Sequence, residues 1–578
     1  MKLRAQTGFN LVEAILSIAT FALLLTFLGL AFLYGPAGAV IDGNRVQATL
    51  LAEEGLEVVR NIRDAGWSNV LSGTYGLVTS SNQWVLSGAS DSRDIFTRQI
   101  VISDIDANRK SVTANVSWQQ NGQRRGFVSL ATHLTNWQKS KGSGGILVYG
   151  SGTMATDTIA YRILDPVNQT WSAPASVSDI DPSTTNRVLR AARVYASASR
   201  NEKILISRHY NGKTQYVYSQ VFNGTSWGST KLLASWNSSN YLDVQNFDGT
   251  YLSNGDFMVV YADNTNTPKF RVWNGTTWSA SSLAMRGVGA VPVYIVAKAR
   301  PNTKEVMAVF FTTAKNTRSQ YFNGATYVTA NWTLHSSHAS QAPKATNRLI
   351  DFVWSVSNPL VGGMVFCNSN NDRSMDIKIW TASGSGSGTW SAIATGPNQG
   401  SSATRVVTVD IAARSDANEF VACSKNTSSQ IVCYLASFTP AWSTPANSII
   451  SPVTDNGIQR SYDFGYEGVA SNGLISYSDF SVVPKLKKYN PSAKTFDAVS
   501  TNINELTASL ATTRVIPNPL TSDVIILLAD NARSLSSIVW DGASDAFYSS
   551  PSGLNFTSHG ASGSAAIGYW YDFAWDQL

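Results

Sequence analysis

A short turn ending in an aromatic residue recurs through the last three quarters of the chain, and it constrains the fold more than any other feature. It reads Asn-Gly-x-Thr-Trp or a degenerate form of it. The clearest copies are Asn223-Gly224-Thr225-Ser226-Trp227 and Asn274-Gly275-Thr276-Thr277-Trp278. The aromatic falls at Trp171, Trp227, Trp278, Tyr327, Trp390, Trp442, Phe496 and Phe547, so successive copies lie 56, 51, 49, 63, 52, 54 and 51 residues apart. An apolar strand precedes each turn, as at 146–149, 204–207, 257–261, 306–311, 364–367, 420–423, 474–477 and 524–528. A polar loop, a second strand, the turn and a short strand follow. One more strand lies between copies, such as 293–296, 349–354 or 406–411. Four strands in a repeat of about 50 residues is the signature of a β-propeller blade.

The ends of the repeat region extend this reading. The first copy opens directly at Ile146 with no preceding strand, whereas the chain finishes on an extra one, 565–575. The segment Ala566 to Tyr571 is therefore expected to complete the blade begun at Ile146 and remove the open sheet edges. Eight blades are expected, or seven if the copy around Phe496 or Phe547 is not a true blade. The turns resemble, loosely, the Asp-box hairpins of sialidase-like and lectin propellers, S-x-D-x-G-x-T-W, with the acidic position mostly missing or replaced by Asn. That resemblance implies that the aromatics pack between blades; a sugar site is the alternative.

Residues 138–145, Gln-Lys-Ser-Lys-Gly-Ser-Gly-Gly, read as a polar, glycine-rich linker. Ahead of it, 9–34 are almost unbroken in apolar character, long enough at about 1.5 Å per residue to span a bilayer. Gly35, Pro36 and Gly38 are expected to interrupt the helix. Beyond them Ala48, Leu51, Gly55, Val58, Val59 and Ile62 recur at helical spacing, with Gly66 as the expected stop. Strand signals follow at 73–78, 83–86, 95–102, 111–118 and 126–134, with Asn121-Gly122 at a hairpin turn.

The start of the apolar segment carries a second motif. Gly8, Phe9, Asn10, Leu11, Val12 and Glu13 follow a short basic leader with Lys2 and Arg4. A carboxylate inside a lipid-compatible segment is costly and asks for a partner. The pattern resembles the class III prepilin signal of type IV pilins and pseudopilins, G-F-[S/T]-L-x-E, with Asn10 as the one departure. The resemblance, to minor pilins in particular, implies cleavage after Gly8 by a prepilin peptidase, N-methylation of Phe9, and a Glu13 that neutralises the N-terminus of a neighbouring subunit. The expected organisation is a leader 1–8, an α+β pilin module 9–137 with a membrane-spanning helix 9–34, a linker 138–145, and an all-β propeller 146–578.

Charged residues make up only 14 % of the chain, well below the usual quarter, while Ser, Thr, Asn, Gly and aromatics are plentiful, as in secreted β-rich proteins. The formal charge of +6 drops to +4 without Lys2 and Arg4, which gives no strong nucleic-acid signal. The basic run Lys485, Leu486, Lys487, Lys488 reads as a solvated strand edge. Among Cys367, Cys423 and Cys433, the last two could face each other across a hairpin as a disulfide; three buried thiols are the other reading.

Chemistry is sparse. Glutamates between 146 and 578 are few: Glu202, Glu305 and Glu419, in the position of loop charges before the first strands, with Glu467 and Glu505. None is spaced to pair with a tyrosine as a sialidase would need. His335 and His338 suggest a surface loop rather than a metal site, and Asp104/Asp106 and Asp179/Asp181 lack the further oxygen ligands of a calcium loop. No catalytic residue, metal site or cofactor is expected, with calcium in a loop left open. The expected role is a minor pilin near the filament tip that displays the propeller for adhesion to a surface glycan or protein. It would first be single-pass in the cytoplasmic membrane, then extracellular among other pilin subunits. The alternatives are a subunit that primes filament assembly and a surface glycosidase.

Overall fold

The computed structural model describes residues 11–65, 67–80, 83–106, 109–121, 124–135, 144–151, 158–165, 169–177, 180, 187–339, 347–367, 373–384, 386–401, 403–437, 441–451, 460–469, 472–550, 553–560 and 570–577. The chain divides into two compact units, Met1–Ser140 and Lys141–Leu578.

The first unit begins with one helix, Leu11–Ala65, which runs without a break through the positions where Gly35, Pro36 and Gly38 were expected to end it. A proline inside a helix removes one hydrogen bond and presses on the carbonyl four residues back. The turns on either side evidently carry the helix past that local cost. Its beginning, Leu11–Leu30, has a mean hydropathy of 2.3 and no buried residues, so by length and composition it could be a membrane anchor or a signal sequence.

The other half of the helix is amphipathic, and the apolar face Ala48, Leu51, Ala52, Leu56 and Val59 is buried on an antiparallel sheet. The strand order of that sheet is Gln83–Ser87, Gly73–Ser80, Phe96–Asp106, Arg109–Asn121 and Arg124–Thr135, with Asp91–Arg93 added beside Phe96. The alternation anticipated at Val112, Ala114, Val116 and Trp118 puts all four in this core. Gly55 lies at the crossing, where an added Cβ would stand 2.8 Å from Ile100 Cδ1 and the tip of that side chain would have to shift. Arg98, 5 % exposed, ties helix to sheet: it donates to the Leu51 carbonyl at 3.1 Å, to Glu54 at 3.0 Å and to Asp91 at 2.9 Å.

The second unit consists of small antiparallel sheets, as in a β-propeller. Among the described residues eight of them share a four-strand hydrogen-bonded order. Their first strands in that order are β1 (Val188–Ala196), β2 (Phe247–Tyr251), β3 (Pro292–Ala299), β4 (Ile350–Trp354), β5 (Val406–Ala413), β6 (Tyr462–Tyr466), β7 (Leu510–Pro517) and β8 (Tyr571–Trp575). These strands touch their neighbours in succession from β8 through β1 to β7. The second strands, such as Phe257–Tyr261, Val306–Thr312 and Val524–Asp530, are buried along their whole length. They read as continuous apolar runs rather than alternating ones because both of their faces are covered. The copies around Phe496 and Phe547 form sheets like the others, pairing Tyr489 with Phe496 and Trp540 with Phe547.

Strand β8 pairs with Gly145–Gly150 and not with a neighbour in sequence, in the register Tyr571↔Tyr149, Phe573↔Leu147 and Trp575↔Gly145. The pairing lies within the expected final strand 565–575 and starts at Tyr571, the last residue of the expected Ala566–Tyr571 segment, most of which lies outside the described residues.

The recurrent turn is built by its asparagine. Asn223 Oδ1 accepts from the Thr225 and Ser226 amides at 3.0 and 2.9 Å, and Asn274 repeats this with Thr276 and Thr277 at 3.0 and 2.8 Å. The glycine that follows is held at φ of 94° and 95° in the two copies, a region open to glycine at little cost. In the fourth copy the aromatic that pairs back on its strand is Trp332, opposite Phe322, and not Tyr327. The neighbouring spacings then become 54 residues (278 to 332) and 58 (332 to 390). The irregularity in the sequence came from a longer turn that carries two aromatics.

Cys423 and Cys433 occupy directly opposed positions on adjacent strands and are disulfide-bonded, with Cα atoms 4.1 Å apart; Cys367 is buried and is not part of the disulfide. A Cys423→Ser chain is expected to lose about 2–3 kcal/mol, because the bond closes a short loop in the unfolded chain. Urea unfolding without reductant should show the lowered midpoint, and wild type treated with reductant should move the same way.

Candidate functional site

A cavity of about 800 Å³ lies at the C-terminal ends of β1–β8, walled by those strands and by the residues just after them, among them Val356, Ser415, Gly468, Pro519 and Gln577. Its floor is a layer with one position per strand, charged on every strand but β3. At four junctions a carboxylate accepts the backbone N–H of the next strand in the succession. Asp572 accepts from Val194 at 3.1 Å, Asp248 from Ala297 at 2.9 Å, Asp410 from Phe464 at 3.0 Å and Asp463 from Val515 at 2.7 Å. These bonds align the strands, so that Arg193, Asp248, Val296, Asp351, Asp410, Asp463, Arg514 and Asp572 share a layer.

Where β4, β5 and β6 each contribute an aspartate, guanidinium groups enter from three residues upstream. Arg348 Nη2 lies 2.9 Å from Asp351 Oδ2. Arg460 donates to Asp410 at 2.7 Å and to Asp463, and lies 3.9 Å from Asp351. Burial favours the neutral carboxyl, and it pushes Asp463 up to about 7 despite Arg460 alongside, with Asp410 adding to the rise. Asp351 is also raised by burial. At Asp410 burial acts in the same sense, but Arg460, Arg348 and the Phe464 amide outweigh it and hold the carboxyl below its ordinary value. On the other side of the cavity Arg514 pairs with Asp572 at 2.5 Å, and Arg193 donates to Gln245 at 2.7 Å. Burial draws Arg193 down to about 10.

None of these residues stood out in the sequence. Their signal is an aspartate recurring inside a short aromatic or apolar strand: Phe-Asp-Gly at 247–249, Ile-Asp-Phe at 350–352, Val-Asp-Ile at 409–411, and Tyr-Asp-Phe at 462–464 and again at 571–573.

The glutamates expected as loop charges are placed differently. Glu202 and Glu305 are buried. Glu202 receives Tyr251 Oη at 2.9 Å, Trp273 Nε1 at 3.0 Å and Arg200 at 3.0 Å; Tyr251 and Trp273 belong to the next sheet. Glu467 receives Trp540 Nε1 of the next sheet at 3.0 Å, and burial pushes its carboxyl up to about 7. Glu419 receives Tyr466 Oη at 3.3 Å. They are ties between sheets, an arrangement visible only once strands 50 residues apart are side by side.

His335 and His338 stand on the strand Trp332–Ala339 and not in a surface loop. His338 Nε2 is 2.7 Å from Ser319 Oγ, and its ring meets Trp390 at 5.0 Å; burial lowers it to about 3, with Lys378 acting in the same direction. His559 repeats this arrangement with Ser537 at 2.8 Å and Trp171 at 4.9 Å. The turn aromatics of the following sheet thus pack against these histidines. The basic run lies on Lys485–Asn490, where Lys487 is buried and Lys488 pairs with Asp545. Gly8 and Phe9 lie outside the described residues, as do Asp179 and Asp181; Glu13 stands exposed in the first turn of the helix. Asp104 pairs with Lys110 at 2.5 Å. Among the described residues no three His, Cys, Asp or Glu side chains are grouped to hold a metal ion.

No protein-family model and no curated protein matches the chain. Solved structures that resemble it are β-propellers at low similarity. The six-bladed fucose-recognising lectin of Aleuria aurantia is 10 % identical, with 64 % of this chain and 96 % of that one covered at a TM-score of 0.33. The β-propeller domain of the trilobed protease from Pyrococcus furiosus, with an open velcro topology, is 11 % identical over 61 % and 96 % at 0.34. The α-L-arabinofuranosidase Arb93A of Fusarium graminearum is 11 % identical over 52 % and 94 % at 0.33. Lectins and enzymes both occur among them, and similarity this low bears on neither activity.

Proposed function

We propose that this chain is a minor pilin that displays an eight-bladed propeller for recognition of a surface glycan or protein. The observation that carries the filament part is the helix Leu11–Ala65: its exposed apolar beginning follows directly on Gly8 and Phe9, and its remainder packs on its own small sheet. On this reading Gly8 and Phe9 are the cleavage and methylation positions, and Glu13 meets the N-terminus of a neighbouring subunit. The eight sheets are eight blades, β8 closes the ring on Gly145–Gly150, and the open central cavity is the place for a ligand.

Intact mass of the mature chain tests the first part. The expected species starts at a methylated Phe9 in cells with a prepilin peptidase and retains the leader in cells without one; an unprocessed chain in both would remove the pilin assignment. Deleting 141–578 tests the second part. Filaments that persist while attachment is lost support recognition, whereas loss of filaments favours a priming role. Attachment unchanged by the deletion would end the recognition reading.

A further inference from the structure

The cavity is lined by six carboxylates, Asp248, Asp351, Asp410, Asp463, Asp572 and Glu467, and by five cations, Arg193, Arg348, Arg460, Arg514 and Lys298. What it shows to solvent is different. The five aspartate side chains are only 5–9 % exposed and Glu467 is 1 % exposed, and four of the aspartates are turned into the wall to accept backbone N–H groups. Among the cations, Lys298 is 46 % exposed and Arg514 25 %.

The nearest carboxylate to Lys298 Nζ is Asp248 at 3.9 Å, too long for a hydrogen bond. Arg514 gives one N–H to Asp572, and its other N–H groups have no acceptor among the described residues. A guanidinium carries five donors in a fixed fork and an ammonium three. The accessible floor therefore offers donors and positive charge, while its acceptors are consumed by the backbone. Higher in the wall stand Ser415 and Gln577, neutral groups suited to hydroxyls.

The geometry points to an acidic saccharide as the ligand of this cavity, with carboxylates on Lys298 and on Arg514 and hydroxyls on the upper wall. This rests on the recognition reading above and adds the ligand class. A charge-assisted pair between a carboxylate and these cations is stronger than a neutral one and is weakened by salt. The volume lies within the range of small-ligand sites.

The test uses the full chain in detergent micelles, titrated calorimetrically with trigalacturonate and with the neutral trisaccharide maltotriose. Trigalacturonate is expected to bind more tightly and to weaken as salt is raised. Lys298→Ala should reduce its affinity about tenfold, and Lys298→Arg should retain most of it. Lys298 is half exposed and holds no backbone group by its side chain, so the variant is expected to melt like wild type. Equal binding of the two trisaccharides, or acidic binding indifferent to Lys298→Ala at a wild-type melting temperature, overturns the ligand class. Binding of neither, in a chain whose residues 141–578 are still needed for attachment, also overturns it and leaves the recognition reading standing. Attachment that ignores the deletion of 141–578 removes that reading on its own.

Discussion

A chain that stops at Gly568 is expected to lose the cooperative fold of its second unit. The missing strand carries Trp570, Tyr571, Phe573 and Trp575, all at most 3 % exposed, and among the described residues supplies the partner of Gly145–Gly150 on that side. Truncating one buried aromatic costs about 3–5 kcal/mol, and four together match or exceed the roughly 5–15 kcal/mol that holds a domain folded. The Asp572 carboxylate, which joins the Val194 amide to Arg514, leaves with the strand. Circular dichroism on heating, together with limited proteolysis, should show a broad, low transition and rapid cleavage after residue 144. A truncated chain that melts as sharply and at the same temperature as wild type would show that β8 is not part of the folded unit.

Replacing Arg460 by alanine is the second large effect. Three carboxylates on adjacent strands, Asp351, Asp410 and Asp463, would then face Arg348 alone among the guanidinium groups between them. Removing one partner of a buried pair costs about 3–5 kcal/mol, because the remaining charge stays out of water without compensation. The loss should be largest near pH 8 and smaller near pH 5, where the carboxyl groups can take protons.

Wild type itself carries a related dependence. A carboxyl raised to about 7 in the folded chain, as at Asp463, holds its proton more tightly there than when unfolded. Its contribution is complete below about pH 4 and is lost as pH rises towards 7. Asp463→Asn should abolish that decline, so the variant gains on wild type between pH 5 and 8 in thermal melts. An Asp463→Asn profile parallel to wild type, or an Arg460→Ala loss that does not depend on pH, would show that the cluster does not titrate in this range.

Local chemistry accounts for what could be read before any coordinates. The Asn-Gly turns, the apolar second strands and the period-2 strand Val112–Trp118 are each encoded by residues adjacent in sequence, and they were anticipated close to where they lie. Cys423 and Cys433 were legible as a hairpin pair for the same reason. Tyr327 misled because its turn holds two aromatics, and only the strand pairing distinguishes Trp332 as the one opposite Phe322. Pro36 carries a local cost to a helix, yet the helix Leu11–Ala65 continues through it.

The ties between sheets and the bonds that align the charged floor were not legible, since they join residues about 50 or more positions apart. Asp572 and Val194 meet at a separation of 378 residues. The sequence by itself determined the repeat, the turn chemistry and the apolar segment behind Gly8, because these depend on backbone preference and periodic burial. Only the tertiary structure decided that the aspartates of the first strands turn inward to neighbouring backbones while Lys298 and Arg514 face the cavity. Exposure and pairing of a charge are set by which distant strand lies beside it.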